Sequence, residues 1–101
     1  MLGLSSSAPN PSEPLAIAVH VSVDTLEVRL SDGRKISAPL SWYPRLAHAS
    51  VEERSNWQLI GPGLGIHWPD IDEDISVENL LMGQPSGESR KSFERWLGRR
   101  S

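Results

Sequence analysis

The sequence predicts an α+β fold: a small antiparallel sheet, made of a three-stranded meander and a later hairpin, with two or three short helices packed on it. Three observations predict it. Apolar and polar residues alternate between Ala16 and Ala38 in runs broken by turn residues, the pattern of half-buried strands. Gly61-Pro62-Gly63 separates two short apolar runs in the manner of a hairpin turn. Helical spacing occurs only in brief stretches after Pro44, with Ser76 and Gly98 placed as start and stop signals.

The first strand is Ala16 to Val23, with Ile17, Val19, Val21 and Val23 on one face and Ala18, His20 and Ser22 on the other. Asp24 and Thr25 turn the chain. Leu26, Val28 and Leu30 alternate with Glu27 and Arg29 as an antiparallel second strand. Asp32-Gly33 forms a tight turn into a third strand from Lys35 to Ala38, stopped by Pro39. Pro44 opens one irregular helix to about Arg54, although Ser50 and Glu53 would instead suit a capping box for a short second turn. Trp57 to Ile60 and Gly65 to Trp68 form the hairpin. The acidic run Asp70 to Asp74 leads to Ser76 as the N-cap of a helix from Val77 to about Met82, with Ile75 and Leu80 as a hydrophobic staple. In Ser89 to Leu97, Phe93, Trp96 and Leu97 share one helical face, and Gly98 is positioned to end that helix.

Domain organisation follows from composition. Residues 1–14 hold four serines and three prolines and read as a disordered leader. They lack the positive start and apolar run of a secretory signal. Residues 15–83 form the α+β domain and residues 84–101 a basic amphipathic C-terminal helix. The net charge of -3 over 101 residues divides unevenly. Residues 1–83 carry 5 basic and 11 acidic side chains, whereas the tail has Arg90, Lys91, Arg95, Arg99 and Arg100 against Glu88 and Glu94. With no cysteine there is no disulfide scaffold, thiol nucleophile or thiolate metal site. No apolar window approaches the roughly 20 residues that cross a bilayer, and by elimination the expected location is cytoplasmic. In so small a domain, Trp42, Trp57, Trp68 and Trp96 are expected to supply much of the buried area.

Taken in order, these pieces resemble the DUF2442 family of small bacterial proteins. The resemblance rests on Val19, Val21 and Val23, the Asp24 turn, Leu26 and Val28 before Asp32-Gly33, and Leu40. It continues in Gly65-Ile66-His67-Trp68-Pro69, Asp70 and Asp74-Ile75-Ser76-Val77-Glu78-Asn79-Leu80. Its most specific part is Trp68-Pro69 followed by Asp74-Ile75-Ser76 and Leu80-Leu81. The resemblance implies a compact α+β domain with its strands in one sheet and no established catalytic activity. It also implies a setting beside another small protein, as in a toxin and antitoxin pair. Some members carry a helix-turn-helix after this module, and the 18 residues after Gly83 are too few for one.

No catalytic constellation stands out. Asp70, Asp72, Asp74 and Glu78 begin like a calcium loop, but its glycine position holds Ile75 and its bidentate acid position holds Leu81. A solvated turn with acids near a helix start explains the same residues. His20, His48 and His67 lack metal-ligand spacing, and Gly61 to Gly65 lacks the third glycine and the following helix of a dinucleotide loop.

We therefore expect no catalysis, no cofactor and no metal. The expected function is that of an interaction module, antitoxin-like or regulatory, binding a small partner protein or a second copy of itself. Phe93, Trp96 and Leu97 would enter the partner's groove, with Arg95 and Arg99 at the polar rim. The structural motif residues are Asp32, Gly33, Trp68, Pro69, Asp74 and Ser76. The alternative is a DNA-binding accessory protein that uses the basic tail, against which stands docking of the basic helix on its own acidic body; a third reading is a small-molecule-binding fold with a pocket between the sheet and helix 77–82.

Overall fold

The computed structural model describes residues 14–100, so the expected leader lies outside the described residues except for Pro14. Strand β1 (Ala16–Val21) pairs antiparallel with β2 (Thr25–Leu30), and β2 with β3 (Lys35–Pro39), which is the expected meander. Leu26, Val28 and Leu30 fill the core side of the central strand. A register shift between Ala16 and Ala18 changes the outcome for β1. Ala16 is buried and Ile17 exposed, because an extra residue in one strand moves the following side chains to the other face. Val23, expected on the apolar face, sits in the turn and is 84% exposed.

The remaining strands form a second three-stranded sheet, so the strands do not make one sheet as the family resemblance implied. Strand β4 (Gln58–Ile60) pairs with β5 (Gly65–Trp68) as the expected hairpin, and β5 also pairs with β6 (Glu73–Ser76). Asp74 is thus a strand residue opposite His67. The acids concealed that strand: Ile71, Glu73 and Ile75 are buried while Asp72 and Asp74 face outward, a period of two in which one inward position is a carboxylate.

The two sheets touch through backbone. Ala16 N donates to Gly63 O at 2.8 Å, and within the second sheet Val77 N donates to Leu64 O at 2.9 Å, holding the hairpin turn to the end of β6. Gly63 has φ 118°, and a Cβ on it would meet Ala16 O at 2.5 Å, so this approach requires glycine.

The expected single helix after Pro44 is two. Helix α1 (Pro44–Ala47) follows a 3-10 turn at Leu40–Trp42, and α2 (Val51–Ser55) starts afresh at Ser50. Ser50 Oγ accepts from Glu53 N at 3.1 Å and Glu53 Oε1 accepts from Ser50 N at 2.8 Å, a complete capping box. Arg54 donates to the carbonyls of Leu46 and Ala47 at the end of α1 and to that of Ser22 beyond it. Helix α3 (Val77–Met82) begins as expected, with Ser76 Oγ accepting from Asn79 N at 3.0 Å. It ends at Gly83, whose φ of 71° lets Gln84 N donate to Asn79 O.

Helix α4 (Arg90–Arg100) starts after Ser89, whose Oγ accepts from Ser92 N. It runs through Gly98, which was expected to stop it. Glycine weakens a helix by roughly 1 kcal/mol, and Arg100, bonded to Glu53, holds the last turn in place. Trp68 and Trp96 are buried, and Trp42 and Trp57 pack half-buried against the same core. Among the described residues no helix is long and apolar enough to cross a membrane.

Candidate functional site

The apolar face of α4 is turned onto the chain's own domain. Trp96 is 5% exposed and belongs to the core, and Phe93 and Leu97 are half-buried against it. Phe93 stacks on Trp96 at 5.7 Å between ring centres and meets the His48 ring edge-on at 5.1 Å. The guanidinium groups of Arg45 and Arg100 lie over the Trp96 ring at 5.4 and 4.6 Å from its centre, an arrangement in which cation and ring quadrupole attract. The basic helix therefore sits on the acidic body.

Arg45 is the hub. Its Nε donates to both Glu88 carboxylate oxygens at 3.0 and 2.9 Å, and its Nη2 donates to Oε2 at 2.6 Å. Its Nη1 donates to the carbonyls of Ile71 and Asp72 at 3.1 and 3.3 Å. Ser92 Oγ also donates to Glu88. These bonds hold the Glu88 carboxyl below the ordinary carboxylate range and push the Arg45 guanidinium up. A second pair, Arg100 with Glu53, pins the helix end and lowers Glu53, chiefly through the hydrogen bonds from Arg100.

Beside this hub, a cavity of about 110 Å³ contains Tyr43 and Glu73 in its wall. Glu73 is 8% exposed, and its carboxyl is pushed up to about 7, first by burial and then by the charge of Glu88. From its ordinary value of 4.5 up to about 7, the folded chain keeps a proton that the unfolded chain has lost. Stability from this group is therefore full below the unfolded value and is lost as pH rises through the folded one. Glu73→Gln removes the ionisation. It is expected to leave stability at pH 4.5 nearly unchanged and to raise it at pH 8 by on the order of 2–3 kcal/mol in urea denaturation. Identical pH profiles for the variant and the wild type would contradict the assignment.

The other candidate residues are dispersed. Asp32 accepts from Arg34 N and pairs with the Arg34 guanidinium beside Gly33, whose φ is 95°, so this is the expected turn. Trp68 is 0% exposed and donates from Nε1 to Arg54 O at 3.1 Å, while Pro69 is exposed at the strand end. Asp74 pairs with His67, and Asp70 accepts from Asn56. His20 is exposed and His48 is bound up with Pro44 and Phe93. Among the described residues no three or more of His, Asp and Glu converge as a metal site. Arg95 and Arg99 are exposed and, with Lys91, make no ion pair among the described residues. Sequence reasoning singled out neither Arg45 nor Tyr43, Glu73 and Glu88. The signals were Glu88 as an acid opening a basic segment and Glu73 between two inward isoleucines.

Two small antiparallel meanders, short helices and a C-terminal helix clamped by an arginine define a compact class of α+β domain. A family model described as "Protein of unknown function (DUF2442)" matches residues 16–86. The chain belongs to that family. It is also similar to a crystal structure of a protein of unknown function from Rhodospirillum rubrum ATCC 11170, with 27% identity and a TM-score of 0.64 over 75% of this chain and 94% of that one. Among curated proteins no match was found.

Proposed function

We propose that the protein is a non-enzymatic interaction module, antitoxin-like or regulatory, that binds a small partner protein. The observation that carries this reading is a groove of about 230 Å³ lined by Val21, Ser22, Val23, Val51, Arg54 and Ser55. Val23 and Val51 are 84% and 75% exposed on its walls. Exposed valines at a concave site gain by being covered. Because α4 spends its Phe93, Trp96 and Leu97 face on the domain itself, the partner meets this groove, not that face. Glu53 of α2 binds Arg100, so the basic end of α4 lies close to Val51 and favours a partner with an acidic rim. The test is affinity capture from the native host with wild type and with Val23→Asp/Val51→Asp. The same small protein is expected with the first bait and not the second. Capture of nothing, or of the same protein by both, removes the reading.

A second reading has its own support. Lys91, Arg95 and Arg99 recur every four residues, placing on one outer stripe of α4 three cations that make no ion pair among the described residues. Such a stripe suits the phosphates of DNA. It predicts duplex affinity falling with salt at a logarithmic slope of roughly -2.7, for three contacts. Affinity indifferent to salt excludes it.

A further inference from the structure

The cavity beside Arg45 has walls formed by Tyr43, Glu73, Ser76, Asn79, Gln84 and Ser86 among others, and its volume is about 110 Å³. Water occupies about 30 Å³ per molecule, so the space fits three or four non-hydrogen atoms. One buried polar atom on a residue of that wall lacks a hydrogen-bond partner among the described residues. The Tyr43 hydroxyl, on a side chain 2% exposed, makes no hydrogen bond among the described residues. The Glu73 carboxyl, on a residue 8% exposed, accepts none from a described residue. Burial and then the charge of Glu73 raise the Tyr43 phenol, and the two residues share this cavity wall without being bonded to each other. Buried polar groups are almost always paired, so the unpaired Tyr43 hydroxyl, on a cavity whose wall also carries the Glu73 carboxyl, marks a position for a further group.

The charge of the surroundings selects that group. Glu88, Asp74 and Asp72 all act on Glu73 with the same sign, and the one cation acting on it, Arg45, is engaged by Glu88 and two carbonyls. An anion is repelled there. A group with several N–H donors, a positive charge and no acceptor matches an excess of carboxylates. We propose that the cavity is a binding site for a primary ammonium group, with Glu73 as its counter-ion and the Tyr43 oxygen as a second acceptor. The nitrogen and two or three methylenes fill the space. A small alkylammonium ion and the tip of a lysine side chain share this chemistry. The site is independent of the valine groove.

The experiment is a titration of the full chain followed by amide NMR shifts at Ser76, Asn79 and Gly87, with ethylammonium and N-acetyl-lysine amide as probes. Tetramethylammonium, which has the charge without N–H donors, is the control. At pH 8 saturable binding of ethylammonium is expected, with none of tetramethylammonium. Because Glu73 must be ionised and is held near 7, amid Tyr43, Asp72, Asp74, Glu88 and Arg45, affinity at pH 6 falls about tenfold. Glu73→Gln, which keeps the fold, is expected to weaken binding at pH 8 by at least about tenfold, and Tyr43→Phe by about threefold. Equal binding of both amines assigns the site to a lysine tip, and binding of ethylammonium alone to a free amine. Absence of saturable shifts in the wild type, which leaves water as the occupant, or unchanged affinity in Glu73→Gln, overturns the proposal.

Discussion

Trp68→Ala is expected to leave the domain largely unfolded at 25 °C. Trp68 is 0% exposed and is among the largest fully buried side chains. Its removal forfeits roughly 3–5 kcal/mol of transfer and cavity energy. A core of this size supplies only about 3–5 kcal/mol in total. The indole also donates to Arg54 O, and Arg54 in turn ties α1 to the turn after β1, so the loss spreads to both sheets. Trp68→Phe keeps most of the area, forfeits that hydrogen bond, and is expected to remain folded at a cost of roughly 1–2 kcal/mol. Circular dichroism with urea titration separates the two, and a cooperative transition of near wild-type midpoint in Trp68→Ala would refute the assignment.

Arg45→Met should have the next largest effect. Methionine keeps a side chain of similar length but removes every donor and the cation over Trp96, leaving Glu88 with Ser92 as its hydrogen-bond partner. Removing one side of a mostly desolvated ion pair costs roughly 2–4 kcal/mol, much of it from the charge left behind. Adding Glu88→Gln neutralises the stranded carboxylate and should recover part of the loss, a non-additivity that a double-mutant cycle measures. Glu88 is held below its ordinary 4.5, so the contribution of the pair is present at neutral pH and disappears as pH falls through the folded value. The penalty of Arg45→Met should shrink in acid by the same route; a cost of Arg45→Met that stays constant down to pH 2 would show that the pair is not its source.

How much of this was legible in the sequence depends on distance along the chain. The first meander was visible because Leu26, Val28 and Leu30 alternate strictly with polar residues and Asp32-Gly33 marks the turn. The Ser76 cap was visible for the same local reason. Strand β6 was not, because Glu73 occupies an inward position and breaks the apolar period. An amphipathic stripe of Phe93, Trp96 and Leu97 was equally plain, yet periodicity states that a face is apolar and not what covers it. What covers it depends on Arg45 reaching Glu88 across 43 residues, and Tyr43 and Glu73 meet at one cavity only after both sheets have formed. No local pattern encodes such pairings.

The seam between the sheets bears on how the chain reaches this structure. Each strand of both meanders pairs with its neighbour in sequence, so neither ladder must wait for a long loop to close. The entropy of long-range closure falls instead on the contacts that join the segments, among them Ala16 with Gly63, Arg54 with Ser22, Arg45 with Glu88 and Arg100 with Glu53. Two quickly formed halves and a late joint make a domain of low topological complexity. In that joint two backbones meet at a residue that must be glycine, so substitution of Gly63 is expected to disturb the docking of the halves more than the formation of either.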